Sequence, residues 1–160
     1  MKPLILAGIS LFLFSITHAQ VPGICTKHLS VGGATESSWA PGIVQNNSQP
    51  AGGKMYEVQI KVRKTGYITF DNLITENEVL PVEIVKDGTR NAAGPFKKGD
   101  VLTLIARSDK KKVQPTPDDS IVSQIKNKRA AGAITYTFKN RQYLHPLYAF
   151  IVKGNKKLSQ

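Results

Sequence analysis

The sequence predicts an all-β protein, a single antiparallel β-sandwich of about five to seven short strands. Three observations predict it. Apolar and polar residues alternate with period two in several short runs, as in Tyr56-Glu57-Val58-Gln59-Ile60-Lys61-Val62. Gly, Pro, Asn and Asp clusters punctuate the chain about every 8–15 residues. A helical period is almost absent, with one short candidate near residues 117–129.

The chain opens with Met1-Lys2-Pro3, an uncharged apolar run from Leu4 to Ile16, and Thr17-His18-Ala19. Positive charge, apolar stretch and small-residue site follow one another as in a secretory signal peptide, here residues 1–19. A spanning helix needs about 20 apolar residues, and this run is shorter. The reading places the mature chain in the periplasm or outside the cell, with no transmembrane helix. One domain's worth of chain then remains.

Residues 20–53 hold Gly32-Gly33, Ala40-Pro41-Gly42, Asn46-Asn47-Ser48 and Pro50-Ala51-Gly52-Gly53. These turn formers predict a loop-rich arm with a short strand at Ile43–Val44. Trp39, alone in that polar stretch, is read as a staple onto the core. The β domain proper is expected over residues 54–153.

Its first strand turns the apolar set of Tyr56, Val58, Ile60 and Val62 to one face. Thr65-Gly66 then predicts a hairpin into a second strand with Ile68 and Phe70 inward. Val79–Val85 is a third strand, with Leu80, Val82 and Ile84 inward. Pro81, which lacks an N–H, belongs at a sheet edge or a bulge. Val101–Ala106 is a nearly continuous apolar run, expected to be covered on both faces. Thr116-Pro117-Asp118-Asp119 can start a short helix, with Thr116 as N-cap and Ile121 and Ile125 on one face. Ala133–Lys139 alternates again, with Ile134, Tyr136 and Phe138 inward. Tyr143-Leu144 begins the return strand, and residues 154–160 form a basic tail.

Lys and Arg number 22 against 11 Asp and Glu, a net charge of +11. Such a surface attracts polyanions: anionic glycan, lipopolysaccharide or anionic lipid head groups. Export makes genomic nucleic acid an unexpected partner. Lys97, Lys98, Lys110, Lys111, Lys112, Lys139 and Arg141 lie in or beside loops. Loops of a sandwich cluster at its ends, so these residues are the candidate anion-binding set.

Cys25 is the single cysteine, so no intramolecular disulfide can form. It is open to four readings: a buried small hydrophobe, a free thiol, an intermolecular bridge or a lipoprotein anchor, against which the bulky Ile24 before it speaks. Cys25 and His28 are spaced C-x-x-H, but a structural zinc site wants four ligands. A Cys25–His145 nucleophile pair rests on residue type alone. No G-x-S-x-G, H-E-x-x-H, P-loop or Rossmann pattern occurs. The expectation is no catalytic residue, no metal ligand and no cofactor. Asn46-Asn47-Ser48 matches a glycosylation sequon.

Phe96-Lys97-Lys98-Gly99-Asp100 followed by Val101–Ile105 resembles the turn, Lys-Gly-Asp and apolar strand of many immunoglobulin-like modules. The stretch from Tyr56 to Val152 is similar to small exported proteins of Bacteroidota. The resemblance implies an immunoglobulin-like sandwich at the cell envelope and carries over no site residue and no ligand. Three function classes follow: a non-enzymatic binding or accessory protein of the envelope, a module for polyanions or anionic glycans, and a small secreted enzyme or enzyme inhibitor. The first is the expectation.

Overall fold

The computed structural model of the chain describes residues 21–40, 53–109 and 114–157. The signal peptide, Ile43–Val44, the Asn46 sequon, Lys110–Lys112 and the Trp39 side chain lie outside the described residues. The elements are β1 (Gly23–Ile24), β2 (Leu29–Ala40), β3 (Gly53–Val62), β4 (Ile68–Thr75), β5 (Val79–Lys86), β6 (Thr89–Arg90), β7 (Val101–Asp109), α1 (Asp119–Asn127), β8 (Gly132–Phe138), β9 (Arg141–Leu147) and β10 (Ile151–Lys157).

The protein is predominantly β, as the alternation predicts, but the strand count and layout differ from a sandwich of five to seven strands. Ten strands form one hydrogen-bonded sheet, in the order β1-β9-β8-β4-β5-β7-β3-β2-β10, with β6 against β5. It curls into a half-barrel. The curl comes from β5, which changes partner along its length. Its first residues pair with β4 (Asn72↔Pro81), and the rest pair with β7 (Val82↔Ala106 to Val85↔Thr103). Pro81 therefore marks an internal corner of the sheet instead of its edge, at the handover where a residue lacking an N–H is tolerated.

The inner faces follow the period-two pattern. Tyr56, Val58, Ile60 and Val62 of β3, Leu102, Leu104 and Ala106 of β7, and Ile134, Tyr136 and Phe138 of β8 are all buried in one core. Ile68, Phe70 and Leu80 join them. A fully buried aliphatic or aromatic side chain contributes about 1.5–3 kcal/mol. This core holds the fold without a disulfide, since Cys25 is free.

Several local expectations are overturned, each by pairing between distant segments. Thr65-Gly66 is no hairpin, because β3 is flanked by β2 and β7 while β4 is flanked by β5 and β8. The segment is a crossover between the two halves of the sheet. The loop-rich arm contains β2, a 12-residue strand. Its register slips between Val31 and Gly33, which absorbs the two glycines as a bulge. The basic tail begins inside β10, which lies parallel to β2.

Val101–Ala106 is covered on one face only. Val101 is 56% exposed, and Thr103 and Ile105 are half-buried. Helix α1 covers the other half of the sheet: Ile125 and Ile121 rest on Ile74, Ala133 and Leu144. Asp118, not Thr116, is the N-cap, accepting from the Ser120 N–H at 2.8 Å.

Candidate functional site

The strand register defines two ends of the half-barrel. At one end lie the start of β2 (Leu29↔Val62), the start of β7 (Val101↔Lys61), and the meeting of β4, β8 and β9 (Ile68↔Phe138, Phe138↔Arg141). The connections here are residues 25–28, 63–67, 91–100 and 139–140. Gly66 and Phe96 fasten two of them, each donating its N–H to the other's carbonyl at 3.0 Å. The Lys98 N–H donates to Thr65 Oγ1 at 2.9 Å. Phe138 presses against Gly66, where a Cβ would come within 2.7 Å of its ring. Lys139 then places its ammonium 5.7 Å from the centre of the Phe138 ring.

This chain of contacts gathers Lys64, Lys97, Lys98 and Lys139, with Arg141 one residue beyond the β8–β9 turn. Asp87 and Asp100 are the nearby carboxylates. Asp100 accepts from Lys86 Nζ at 2.8 Å and from the Lys97 N–H at 2.8 Å. These hydrogen bonds hold its carboxyl below the usual range, with the Lys86 contact leading. Among the described residues, Lys64, Lys97, Lys98, Lys139 and Arg141 form no salt bridge. Tyr67, 73% exposed, shares a surface depression with Lys139, Asn140 and Thr69.

The opposite end carries Glu36, Glu76, Glu78, Asp109, Asp118 and Asp119. Two of its cations are engaged there: Lys54 pairs with Glu36 at 3.1 Å and Lys126 with Glu76 at 2.8 Å. Lys128 and Arg129 lie at this end too, so it mixes both signs, whereas cations predominate at the basic end.

Four of the predicted anion-binding residues, Lys97, Lys98, Lys139 and Arg141, come together at the basic end. Lys110, Lys111 and Lys112 fall outside the described residues. Lys64 and the fastening Gly66 were not in that set. Their local signal is a turn dipeptide, which says nothing of the distant segment it meets.

Beneath the basic end lies a polar cluster inside the apolar core. His28 is buried between the Phe138 and Tyr143 rings, at centroid distances of 4.5 and 4.8 Å. The Tyr136 hydroxyl lies 3.2 Å from His28 Nδ1 and 3.5 Å from the Cys25 carbonyl oxygen. Burial pushes the Tyr136 hydroxyl far above its ordinary range. Cys25 Sγ is 3.6 Å from His28 Nδ1. His145 is buried with Nδ1 3.2 Å from the Cys25 carbonyl, so Nδ1–H donates to the backbone and not to the sulfur.

The residue-type pairing of Cys25 with His145 is therefore a fold contact. Among the described residues, no group of three His, Cys, Asp or Glu is arranged to hold a metal ion. Burial lowers the pKa of both histidines. The charges of Lys64 and Lys139 add to this at His28, and that of Arg63 at His145. The cluster's geometry fits neutral imidazoles satisfied by hydroxyl and carbonyl groups.

Comparison of the chain with family models, with curated proteins and with solved structures finds no match. The functional reading rests on the molecule's own geometry. No helix among the described residues is long and apolar enough to cross a membrane.

Proposed function

We propose that the protein is an exported, non-enzymatic binding module of the cell envelope, and that its basic end holds an anionic glycan. One observation carries the reading. The Gly66–Phe96 bridge draws Lys64, Lys97, Lys98 and Lys139 to one end with no side-chain salt bridge among the described residues, whereas at the other end Lys54 and Lys126 are paired with Glu36 and Glu76. Cations gathered at one end and not neutralised by salt bridges suit an anionic polymer. Tyr67 supplies an exposed ring beside Lys139, suited to the apolar face of a sugar. The apolar run at residues 4–16 supports export. The buried histidines have ordinary structural partners, which favours binding over catalysis.

The test is retention on immobilised heparin, a sulfated glycan, with elution by salt. The wild type binds at low ionic strength and elutes at moderate salt. Lys97→Ala/Lys98→Ala/Lys139→Ala elutes much earlier. Lys126→Ala/Lys128→Ala/Arg129→Ala removes the same charge from the other end and elutes close to the wild type. Equal loss in both variants would reduce the binding to net charge and sink the proposal.

A further inference from the structure

The chain crosses from one half of the sheet to the other twice on the same side, between β1 and β2 and between β9 and β10. The crossings leave a cleft of about 470 Å³, within the range of about 300–1,000 Å³ typical of small-ligand sites. Leu29, Val31, Leu147 and Ile151 line it; Leu29 and Leu147 are fully buried and Val31 is half-buried. Ile151 is 64% exposed at the rim. Apolar groups turned to water around a concavity mark a place of interaction.

Among the polar residues that line this cleft are His145 and Arg63. His145 lines it from the inner face of β9. With Nδ1 committed to the Cys25 carbonyl, Nε2 is the polar ring atom left for the cleft. The backbone of Arg63 is anchored by an N–H to the His28 carbonyl at 2.8 Å, and its guanidinium forms no salt bridge among the described residues.

We propose that this cleft binds a small amphipathic monocarboxylate, its apolar body along Val31 and Ile151 and its carboxylate on the Arg63 guanidinium. The planar guanidinium offers paired N–H donors matched to a carboxylate. One guanidinium beside a neutral imidazole balances a single negative charge, which selects a monoanion over a phosphate dianion. His145 Nε2 supplies a second contact for a donor carried on the ligand. Arg63 adjoins Lys64, so the cleft opens beside the basic end, but binding in the cleft does not depend on glycan binding there.

The experiment titrates the full chain with decanoate by calorimetry, with decanol as the uncharged control. Saturable decanoate binding is expected, at least tenfold tighter than decanol. Arg63→Gln weakens decanoate at least tenfold and leaves decanol unchanged. Ile151→Ser removes an apolar contact at the rim and weakens both ligands, while the melting temperature stays close to the wild type because Ile151 is largely exposed. The proposal is overturned by non-saturable uptake, by equal affinity for decanol, by wild-type decanoate affinity in Arg63→Gln, or by wild-type affinity for both ligands in Ile151→Ser.

Discussion

Gly66 and Phe138, far apart in sequence, are in contact so close that no Cβ fits between them: an added methyl would sit 2.7 Å from the ring carbon Cε2. Phe138 is buried and packs against the His28 ring, so it cannot easily swing away. Gly66→Ala should destabilise the fold by about 1–3 kcal/mol through overpacking, with the positive φ of Gly66 adding backbone strain. Phe138→Leu in the same chain should restore the part of that loss that comes from the contact. Thermal melts of the two single variants and the double variant give the coupling. Strict additivity of the two would show that the Gly66 effect lies in the backbone alone.

Acidification should weaken the fold before any carboxylate titrates. His28 and His145 both have pKa values below the ordinary 6.5. The unfolded chain therefore binds protons that the folded chain refuses, and stability falls as pH drops. The contribution is complete above pH 6.5 and is lost as pH falls from there through the lowered folded values. Glu76, Asp100 and Asp118 act in a separate, more acidic window, since their folded values lie below the ordinary 3.8–4.5. A melting temperature measured from pH 7.5 to 5 should decline, and His28→Phe with His145→Gln should flatten that slope. A flat wild-type profile would contradict the buried neutral imidazoles.

Tyr136→Phe should cost about 1–2 kcal/mol although it removes a single oxygen. That hydroxyl is shared between His28 Nδ1 and the Cys25 carbonyl, and its loss leaves buried polar atoms short of a partner. Denaturant unfolding with an unchanged slope and a lower midpoint would show it. Leu144→Ala offers a contrast, as its cost of about 2–5 kcal/mol comes from a cavity beneath α1.

The salt dependence of heparin binding reads how many cations touch the polymer. Each cation that releases a counterion lowers the slope of log K against log salt by about 0.7–1 when removed. Lys97→Ala and Lys139→Ala should each do so, and Lys126→Ala should not. Identical slopes for all three variants would mean diffuse attraction.

What the sequence revealed depended on how local the cause was. The inner face of β3 is legible because alternation within seven residues sorts Tyr56 to Val62 by burial; in β8 the alternation marks Ile134, Tyr136 and Phe138 as facing the main core, although Ala133 and Thr135 on the other face are buried as well. β2 was not legible. Val31-Gly32-Gly33-Ala34-Thr35 has turn chemistry, and only its long-range partners β3 and β10 make it a strand. The same holds for the basic end. Lys97 and Lys98 lie about forty residues from Lys139, and their meeting is set by Gly66 and Phe96, whose bridge has no local signature. β5 hid the curl for a related reason: one strand in sequence serves two neighbours in space.

The two parallel pairings have a consequence for how the chain can acquire its structure. β1 needs β9, and β10 needs β2, so the first and last described strands each wait on the opposite end of the polypeptide. Most contacts span more than a dozen residues, which raises contact order and slows folding. A chain emerging residue by residue cannot finish a first half and then add a second. Until β9 and β10 have appeared, β8 and β2 keep open edges, and assembly is all or none. Such a polypeptide stays threadable until its last strands arrive.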